Sequence, residues 1–596
     1  MLKNHYLKKP QRTKNSYRFP LSYGKLKQMS NFKPESSSES LTIREKLTPE
    51  KAMILVAEKV RDEGGRALLV GGSVRDEVIN QYYPDKHLKI KDYDFEVYGL
   101  PAEKLRDTLK AIAVEQGASL NDVGKAFGIL KLRLPDGDEL DISIPRRDSK
   151  VGTGHKGFEV NVDPFMSIEE AARRRDLTIN SMAKDPLTGE IVDPFGGVKD
   201  IKNGVLRATD PETFIEDPLR VLRVMQFAGR LGFTPDEGLV KICQNLTRDP
   251  MILYPERLAR STSFLIEYLE KHPEEDPILI AEEIRADLES GKLSGRYALG
   301  LEEELESLER QIKTIQESFA LGIAPVTELP KARLGEEWHK LLIKSEKPSV
   351  GLKVAKQIGL LAALNPELDV LSGVPQDKKW HPEGNVWDHT LLVVDRAAEI
   401  VKREKPDEDT ALTIMLSSLL HDVGKPQTTE FKDGAWRSPG HGETGKSPSE
   451  KFLASCEFGK AIEDRVVLLV QNHMRVEQLY QSRDEVKPAT VQRLAKEIQP
   501  ATIEELVLVA RADHLGRGSA KVDFEAGEWL LAKAKELNVN QKPPEPLLYG
   551  RDLLAIGMKP GPRVGKALNL ISQGQLDGSL FNKEQAFELL SQQGYF

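Results

Sequence analysis

Cysteine is nearly absent from this chain: Cys243 and Cys456 are the only two in 596 residues. Two thiols build neither a disulfide framework nor a zinc ribbon, and such sparing use fits a reducing compartment, so a cytoplasmic location is expected. Long apolar runs are missing too. No stretch approaches the roughly 18 residues of a membrane span, so no membrane partner is expected. Excess positive charge is also lacking, since 85 Lys and Arg face 93 Asp and Glu for a net charge of −8. A globally basic nucleic-acid binder is thereby excluded, and any polyphosphate path has to be a local basic strip. The remainder, 39% apolar and 30% charged, has the make-up of a globular protein with ample core and several domains.

Charge is unevenly spread. The first 34 residues hold nine Lys or Arg and no Asp or Glu, and Ser36, Ser37, Ser38, Glu39 and Ser40 follow. Residues 1–45 therefore read as a disordered basic arm. The acid-poor bias is that of a transit peptide, but lysine exceeds arginine and no apolar face is evident. Met29 offers an alternative start.

Two sequence blocks carry the chemistry of the first part. Leu69-Val70-Gly71-Gly72-Ser73-Val74-Arg75-Asp76 reads as a strand turning into a helix through glycines, a turn that lets backbone N–H groups approach a triphosphate. In Lys91 to Tyr98, strand alternation throws Asp92, Asp94 and Glu96 onto one face and Tyr93, Phe95 and Val97 onto the other. Paired carboxylates on one face hold divalent metal. Two-metal transfer from a triphosphate needs a third acid, and Asp141, on the alternating segment Glu139 to Ile144, supplies it. Alone, a D-x-D pair is a weak signal, because acidic pairs on exposed strand faces are common.

Further blocks follow in order: Arg174-Arg175-Asp176-Leu177-Thr178-Ile179-Asn180, then Glu216-Asp217-Pro218-Leu219-Arg220 with Val221-Leu222-Arg223. Together with the glycine turn and the D-x-D, residues from about 65 to 231 resemble the head and neck of bacterial tRNA nucleotidyltransferases, the CCA-adding family. The resemblance implies a polymerase-β-type catalytic sheet, tRNA with CTP and ATP as partners, and Mg2+ on Asp92 and Asp94. It further implies that Asp141 assists the 3′-hydroxyl and that Gly72, Arg75, Arg175, Asp217, Arg220 and Arg223 hold the nucleotide, with Asp176 orienting the site. One departure is visible: eighteen residues separate Ser73 from Asp92. The extra length falls in Asn80 to Ile90, where Pro84-Asp85 reads as a turn, so a loop expansion is expected.

Local physics supports parts of this. Ser167-Ile168-Glu169-Glu170 fits a capping box for a short helix running toward Arg173, Arg174 and Arg175, although arginine runs by themselves usually meet only water. Asp217-Pro218 is an ordinary helix start. Helix spacing nonetheless sets Asp217 beside Arg220. A carboxylate accepts the amino group of cytosine or adenine while a guanidinium donates to the adjacent ring nitrogen, so the pair imitates a template base and rejects UTP and GTP.

A second constellation begins at His381-Pro382-Glu383-Gly384-Asn385-Val386-Trp387-Asp388-His389. A later helix ends in His421-Asp422-Val423-Gly424-Lys425. An isolated His-Asp pair is a common accident, but His389 upstream and Asp513 downstream complete the H…HD…D order that resembles the HD phosphohydrolase family. Imidazole and carboxylate ligands suit a divalent ion that activates water against a phosphate ester. The reading leaves His441 and His473 open between a second metal, phosphate binding and plain surface positions; Lys425 is a candidate phosphate contact. The tail from Leu547 to Lys566 resembles the one that accompanies this HD domain.

The expected fold is α+β: a small mixed-sheet nucleotidyltransferase head, a helical neck and body, and an all-α HD domain. The boundaries are 1–45 arm, 46–200 head, 201–260 neck, 261–375 helical body with amphipathic stretches such as Leu301 to Leu308, 376–530 HD domain and 531–596 helical tail. The expected function is CCA addition to tRNA plus HD phosphohydrolysis. The alternatives are a poly(A) polymerase or a CC- or A-only adding enzyme, and, in a different class, an RNA-binding protein with inactive sites. Gly124-Lys125-Ala126-Phe127, with one basic residue where the poly(A) polymerase signature wants two, counts against the first. The retention of every expected acid and histidine counts against the last. Oligomeric state is not legible.

Overall fold

The computed structural model describes residues 47–90, 93–122, 129–150, 158–247, 329–518 and 523–596. The basic arm, Asp92, the Gly124–Phe127 segment and the Leu301–Leu308 stretch lie outside the described residues. The chain divides into two compact units, residues 1–220 with 233–328, and residues 221–232 with 329–596.

The first unit is built on a mixed sheet, as its alternating segments imply. Among its strands are β1 (Arg66–Val70), β2 (Tyr93–Tyr98), β3 (Ser119–Asp122), β4 (Ile129–Arg133), β5 (Glu139–Ser143), β6 (Arg146–Lys150), β7 (Phe158–Val162), β8 (Ala183–Lys184) and β9 (Ile191–Val192). Seven of them form one sheet in the order β3-β4-β5-β2-β1-β8-β9, while β6 and β7 pair separately. β2 and β5 run parallel; β1 with β2 and β4 with β5 are antiparallel. Helices Pro49–Asp62 and Ala102–Gln116 pack against these strands. They bury Val56, Val60, Leu105, Leu109 and Ile112, each worth about 1.5–3 kcal/mol when fully removed from water.

The glycine turn forms as expected. Gly71 has φ +74° and precedes the helix Gly72–Tyr82, a backbone region that glycine enters without steric cost. The expanded loop is tied at its neck. Asn80 Nδ2 donates to the Leu88 carbonyl and Asn80 Oδ1 accepts from the Leu88 amide, both at 2.8 Å, and a short 3-10 turn covers Pro84–Lys86. The insert thus leaves β1 and β2 in register.

Among its described residues, the second unit is helical apart from a small hairpin, Glu430–Lys432 with Ala435–Arg437. Its centre is the helix Glu408–Leu420, capped by Asp407 and buried from Ala411 through Leu420. Helices Val386–Glu404, Lys460–Asn472 and Ile503–Gly516 pack around it. Gly516 permits a close approach to the helix Val386–Glu404, since a Cβ there would press on Val393. The tail helices Gly550–Ala555, Pro562–Asp577 and Lys583–Gln592 share their own core of Leu553, Ala567, Ile571 and Leu590. Among the described residues, no helix is long and apolar enough to cross a membrane.

Candidate active sites

In the first unit, strand register places the acids. Asp94 lies opposite Asp141 across the parallel β2–β5 pair and opposite Val70, the last residue of β1, on its other side. The glycine turn that follows Val70 is therefore held against the same strand end. A Cβ built at Gly71 would meet Arg175 Nη1 at 3.4 Å and Asp94 Oδ2 at 3.7 Å. Glycine, arginine and carboxylate thus share one small cradle, and Asp141 stands beside it with Lys131 Nζ 3.0 Å from its Oδ1.

Glu96 does not join the acids at the surface. It is 1% exposed, accepts from Tyr98 Oη and from Arg174 Nη2 at 2.8 Å each, and lies 3.5 Å from Arg175 Nη2. Burial opposes its charge, but Arg175 and Arg174 overcome that and hold its carboxyl below the ordinary range. Glu96 is therefore the anchor that aims two arginines of the Arg174–Asn180 block. Ser167 caps their short helix by accepting from Glu170 N–H at 3.1 Å.

Removing one partner of such a buried pair costs about 3 kcal/mol, so Glu96→Gln is expected to lower the head's stability by that amount at pH 7. Because the folded-state pKa is depressed, the stabilisation is present above the unfolded value near about 4.3 and is lost as pH falls through the lower folded value. Urea denaturation at neutral and at acid pH should show the gap between wild type and variant closing.

Arg75 is buried beneath the turn: Nη1 donates to Asn180 Oδ1 at 2.8 Å and Nε to Asp76 Oδ1 at 2.8 Å. Asn180 Nδ2 donates in turn to Asp176 Oδ1 at 2.9 Å. Arg75 thus braces the loop that carries Arg175, and Gly72 leaves room for it, a Cβ there lying 3.5 Å from Arg75 Nη2. Asp217 Oδ1 accepts from the Leu219 amide at 3.0 Å, the capping contact its sequence suggests. Arg220 donates to the carbonyls of Thr213 and Arg174, which fixes its guanidinium. Arg223 stands on the helix Leu219–Leu231 with its guanidinium 5.2 Å from the Phe227 ring centre.

In the second unit, four helices and a short turn converge on Asp422. His389 Nε2 is 3.0 Å from Asp513 Oδ1 and 3.9 Å from Asp422 Oδ2. His421 Nε2 is 3.2 Å from Asp422 Oδ2, and His441 Nε2 is 3.3 Å from Asp422 Oδ1 and 3.2 Å from His473 Nε2. All six side chains are buried. Two ligand groups share Asp422, namely His389 with His421, and His441 with His473. Gly424 is required here, since a Cβ would strike the His441 carbonyl.

Backbone carbonyls fix the tautomers. Ser418, Ser438 and Val470 accept from Nδ1 of His421, His441 and His473, turning each Nε2 inward as a ligand requires. His389 is oriented by a carboxylate instead, its Nδ1 lying 2.8 Å from Glu383 Oε1. Burial drives the His473 pKa down to about 3 and lowers that of His441, which keeps lone pairs available for coordination. For Asp422, burial opposes charge, but His421 and Lys425 outweigh it and hold the carboxyl well below the usual range. His421 Nε2 is buried without a hydrogen bond. This donor set fits a divalent metal. Lys425 Nζ lies 2.7 Å from Asp422 Oδ2 and donates to Gln376 Oε1 at 2.8 Å.

Sequence reasoning missed Glu96 as an anchor, Lys131 beside Asp141, and Glu383 behind His389. The His-Pro-Glu run before His389 was the available signal for Glu383. Lys131 was readable only as a cation on an alternating segment.

Comparison with known proteins matches residues 67–207 to the Poly A polymerase head domain and residues 386–518 to the HD domain. The chain is 28% identical over 457 residues to the Multifunctional CCA protein of Vibrio vulnificus strain CMCP6, covering 75% of this chain and 85% of that protein. To the Multifunctional CCA protein of Pasteurella multocida it is 29% identical over 466 residues, covering 78% and 87%. A CCA-adding enzyme of Bacillus stearothermophilus, solved in complex with CTP, shares the fold with a TM-score of 0.52 at 16% identity, covering 92% of this chain and 98% of that one.

Proposed function

On a chain that carries a Poly A polymerase head domain followed by an HD domain, we propose two independent phosphorus reactions: addition of CMP and AMP to tRNA 3′ ends in the head, and hydrolysis of phosphate esters at the HD centre. The observation that carries the first is the opposition of Asp94 and Asp141 on parallel strands beside the Gly71 cradle and Arg175. The curated relatives, named Multifunctional CCA proteins, point the same way.

In the head, Asp92, Asp94 and Asp141 would hold magnesium, which when bound supplies charge neutralisation for in-line attack on the α-phosphate. Asp141 takes the proton of the tRNA 3′-hydroxyl, the new P–O bond forms, and pyrophosphate leaves. The turn at Gly71 and Gly72 admits the triphosphate against backbone N–H groups. Arg175, aimed by Glu96, neutralises the phosphates. Arg75 acts through Asn180 and Asp176, keeping that loop in place.

Base choice falls to Asp217 and Arg220. Asp217 holds its helix start with Oδ1, while Oδ2 has no partner among the described residues and accepts the amino group of C or A. Loss of a bidentate match costs about 1–3 kcal/mol. Asp217→Ala is therefore expected to raise UMP and GMP misincorporation about tenfold while slowing CMP addition less, as competition assays with the four triphosphates would register. Retained selectivity would place base choice elsewhere.

At the HD centre, His389, His421, Asp422 and Asp513 would hold a divalent metal, with His441, His473 and Asp422 available for a second; when bound, such metal activates water toward phosphorus. Glu383 keeps the His389 ring in place, and Lys425 receives the substrate phosphate. Sparse cysteine and the absence of a membrane-crossing helix among the described residues support a cytoplasmic setting.

A further inference from the structure

Lys131 stands in the row of acids on the head's sheet. It is the register partner of Asp141 across the antiparallel β4–β5 pair, and Asp141 is the register partner of Asp94 across β2–β5. Register partners on adjacent strands project from the same side of a sheet. The alternate residues Leu130, Leu132, Leu140, Ile142 and Phe95 are buried on the other side, so the lysine and both acids share one face. Lys131 Nζ lies 3.0 Å from Asp141 Oδ1 and 3.4 Å from Glu139 Oε2.

An opposite-charge pair across two strands is an ordinary way to stabilise a sheet. Two observations here go beyond that. Asp141 Oδ1 is buried, and no hydrogen bond of ordinary geometry reaches it among the described residues, so the ammonium holds this oxygen by charge alone. A buried carboxylate oxygen in that state suits a cation, which supports the fit of magnesium to the row. The side chains of the pair are nonetheless 31% and 38% exposed, so an ion from solvent can reach them. When Asp141 turns to metal or to the 3′-hydroxyl, Glu139 leaves the ammonium a carboxylate to keep.

We propose that Lys131 is a positioning residue for nucleotide addition: it holds Asp141 as the resident cation of the acid row and gives way when magnesium arrives with the triphosphate. The inference rests on the reading of Asp94 and Asp141 as metal-holding acids. A lysine this close to a ligand oxygen repels a divalent ion. The acids alone therefore bind metal weakly, and the phosphates of the nucleotide supply the rest of the attraction.

The test uses the full chain, stripped of metal and titrated with manganese in the absence of nucleotide, with binding followed by electron paramagnetic resonance. The head's share is the part that Asp94→Asn removes, measured both in the wild type and in Lys131→Met. Lys131→Met should tighten that share about tenfold, and its CMP addition should reach half the maximal rate at about tenfold less magnesium. Lys131→Arg, which keeps the charge, should stay within about twofold of the wild type in both. A lysine that merely braces the sheet would leave both constants unmoved in Lys131→Met, and that result overturns the proposal. If Asp94→Asn removes no manganese from either chain, the metal reading of the acids falls instead. Lys131 is then judged in the metal-free protein, where Lys131→Met should lower the head's melting temperature by about 2 °C and Asp141→Asn in the same chain should restore it; no recovery overturns the counter-ion role.

Discussion

Asp94→Asn should abolish nucleotide addition, lowering kcat/KM by about 10³-fold or more, while hydrolysis at the HD centre stays within about twofold. Charge stabilisation by metal ions is worth several kcal/mol in such transfers, and each 1.4 kcal/mol, about, is a factor of ten in rate. Asparagine keeps the shape of the side chain and removes the charge that holds the ion. Asp94 sits opposite Asp141 in the strand register, so the variant leaves the β2–β5 pairing intact and isolates the electrostatic loss. Asp92→Asn should behave alike. Steady-state rates on tRNA and on a phosphate ester, measured on the same preparation, check both halves. Addition surviving within a few-fold would mean that Asp92 and Asp94 are not the metal site.

The second large effect concerns Asp422. It is shared by both ligand groups and touched by His421, His441 and Lys425, so Asp422→Ala removes a ligand from each group at once. Metal content should drop, and hydrolysis of phosphomonoester and 2′,3′-cyclic phosphate substrates should fall by about 10³-fold or more, with nucleotide addition unchanged. Metal analysis of the purified variant alongside both rate assays reads this. A variant that keeps its metal and hydrolyses at the wild-type rate would remove Asp422 from the centre.

Much of the architecture was legible because it depends on short-range pattern. Alternation in Lys91–Tyr98 and Glu139–Ile144 announced strands, and the glycine pair announced the turn that Gly71 makes at φ +74°. Three positions carry the same lesson about what was not legible. Alternation groups Glu96 with Asp94, yet Glu96 is buried, because Arg174 and Arg175, some 78 residues later, fold back onto it. Arg75 reads as a nucleotide ligand by motif, and that motif gives no sign of its bond to Asn180, 105 residues away. His389 was read from its order with His421 and Asp513; the carboxylate of Glu383 behind it, six residues upstream, became visible only once the chain bends at Gly384, where φ is +132°. In each case the deciding contact comes from a partner or a backbone conformation that residue spacing does not encode. The sheet order β3-β4-β5-β2-β1-β8-β9 was out of reach for the same reason.

The central claim, that the head completes tRNA 3′ ends with C, C and A, is tested most directly by sequencing extended 3′ ends. Transcripts ending at the discriminator base, at C and at CC are offered with all four triphosphates. The account predicts that CMP is added to the first two and AMP to the third, that extension stops at CCA, and that UMP and GMP are absent. Open-ended A tails, a halt after CC, or refusal of the discriminator end would contradict it.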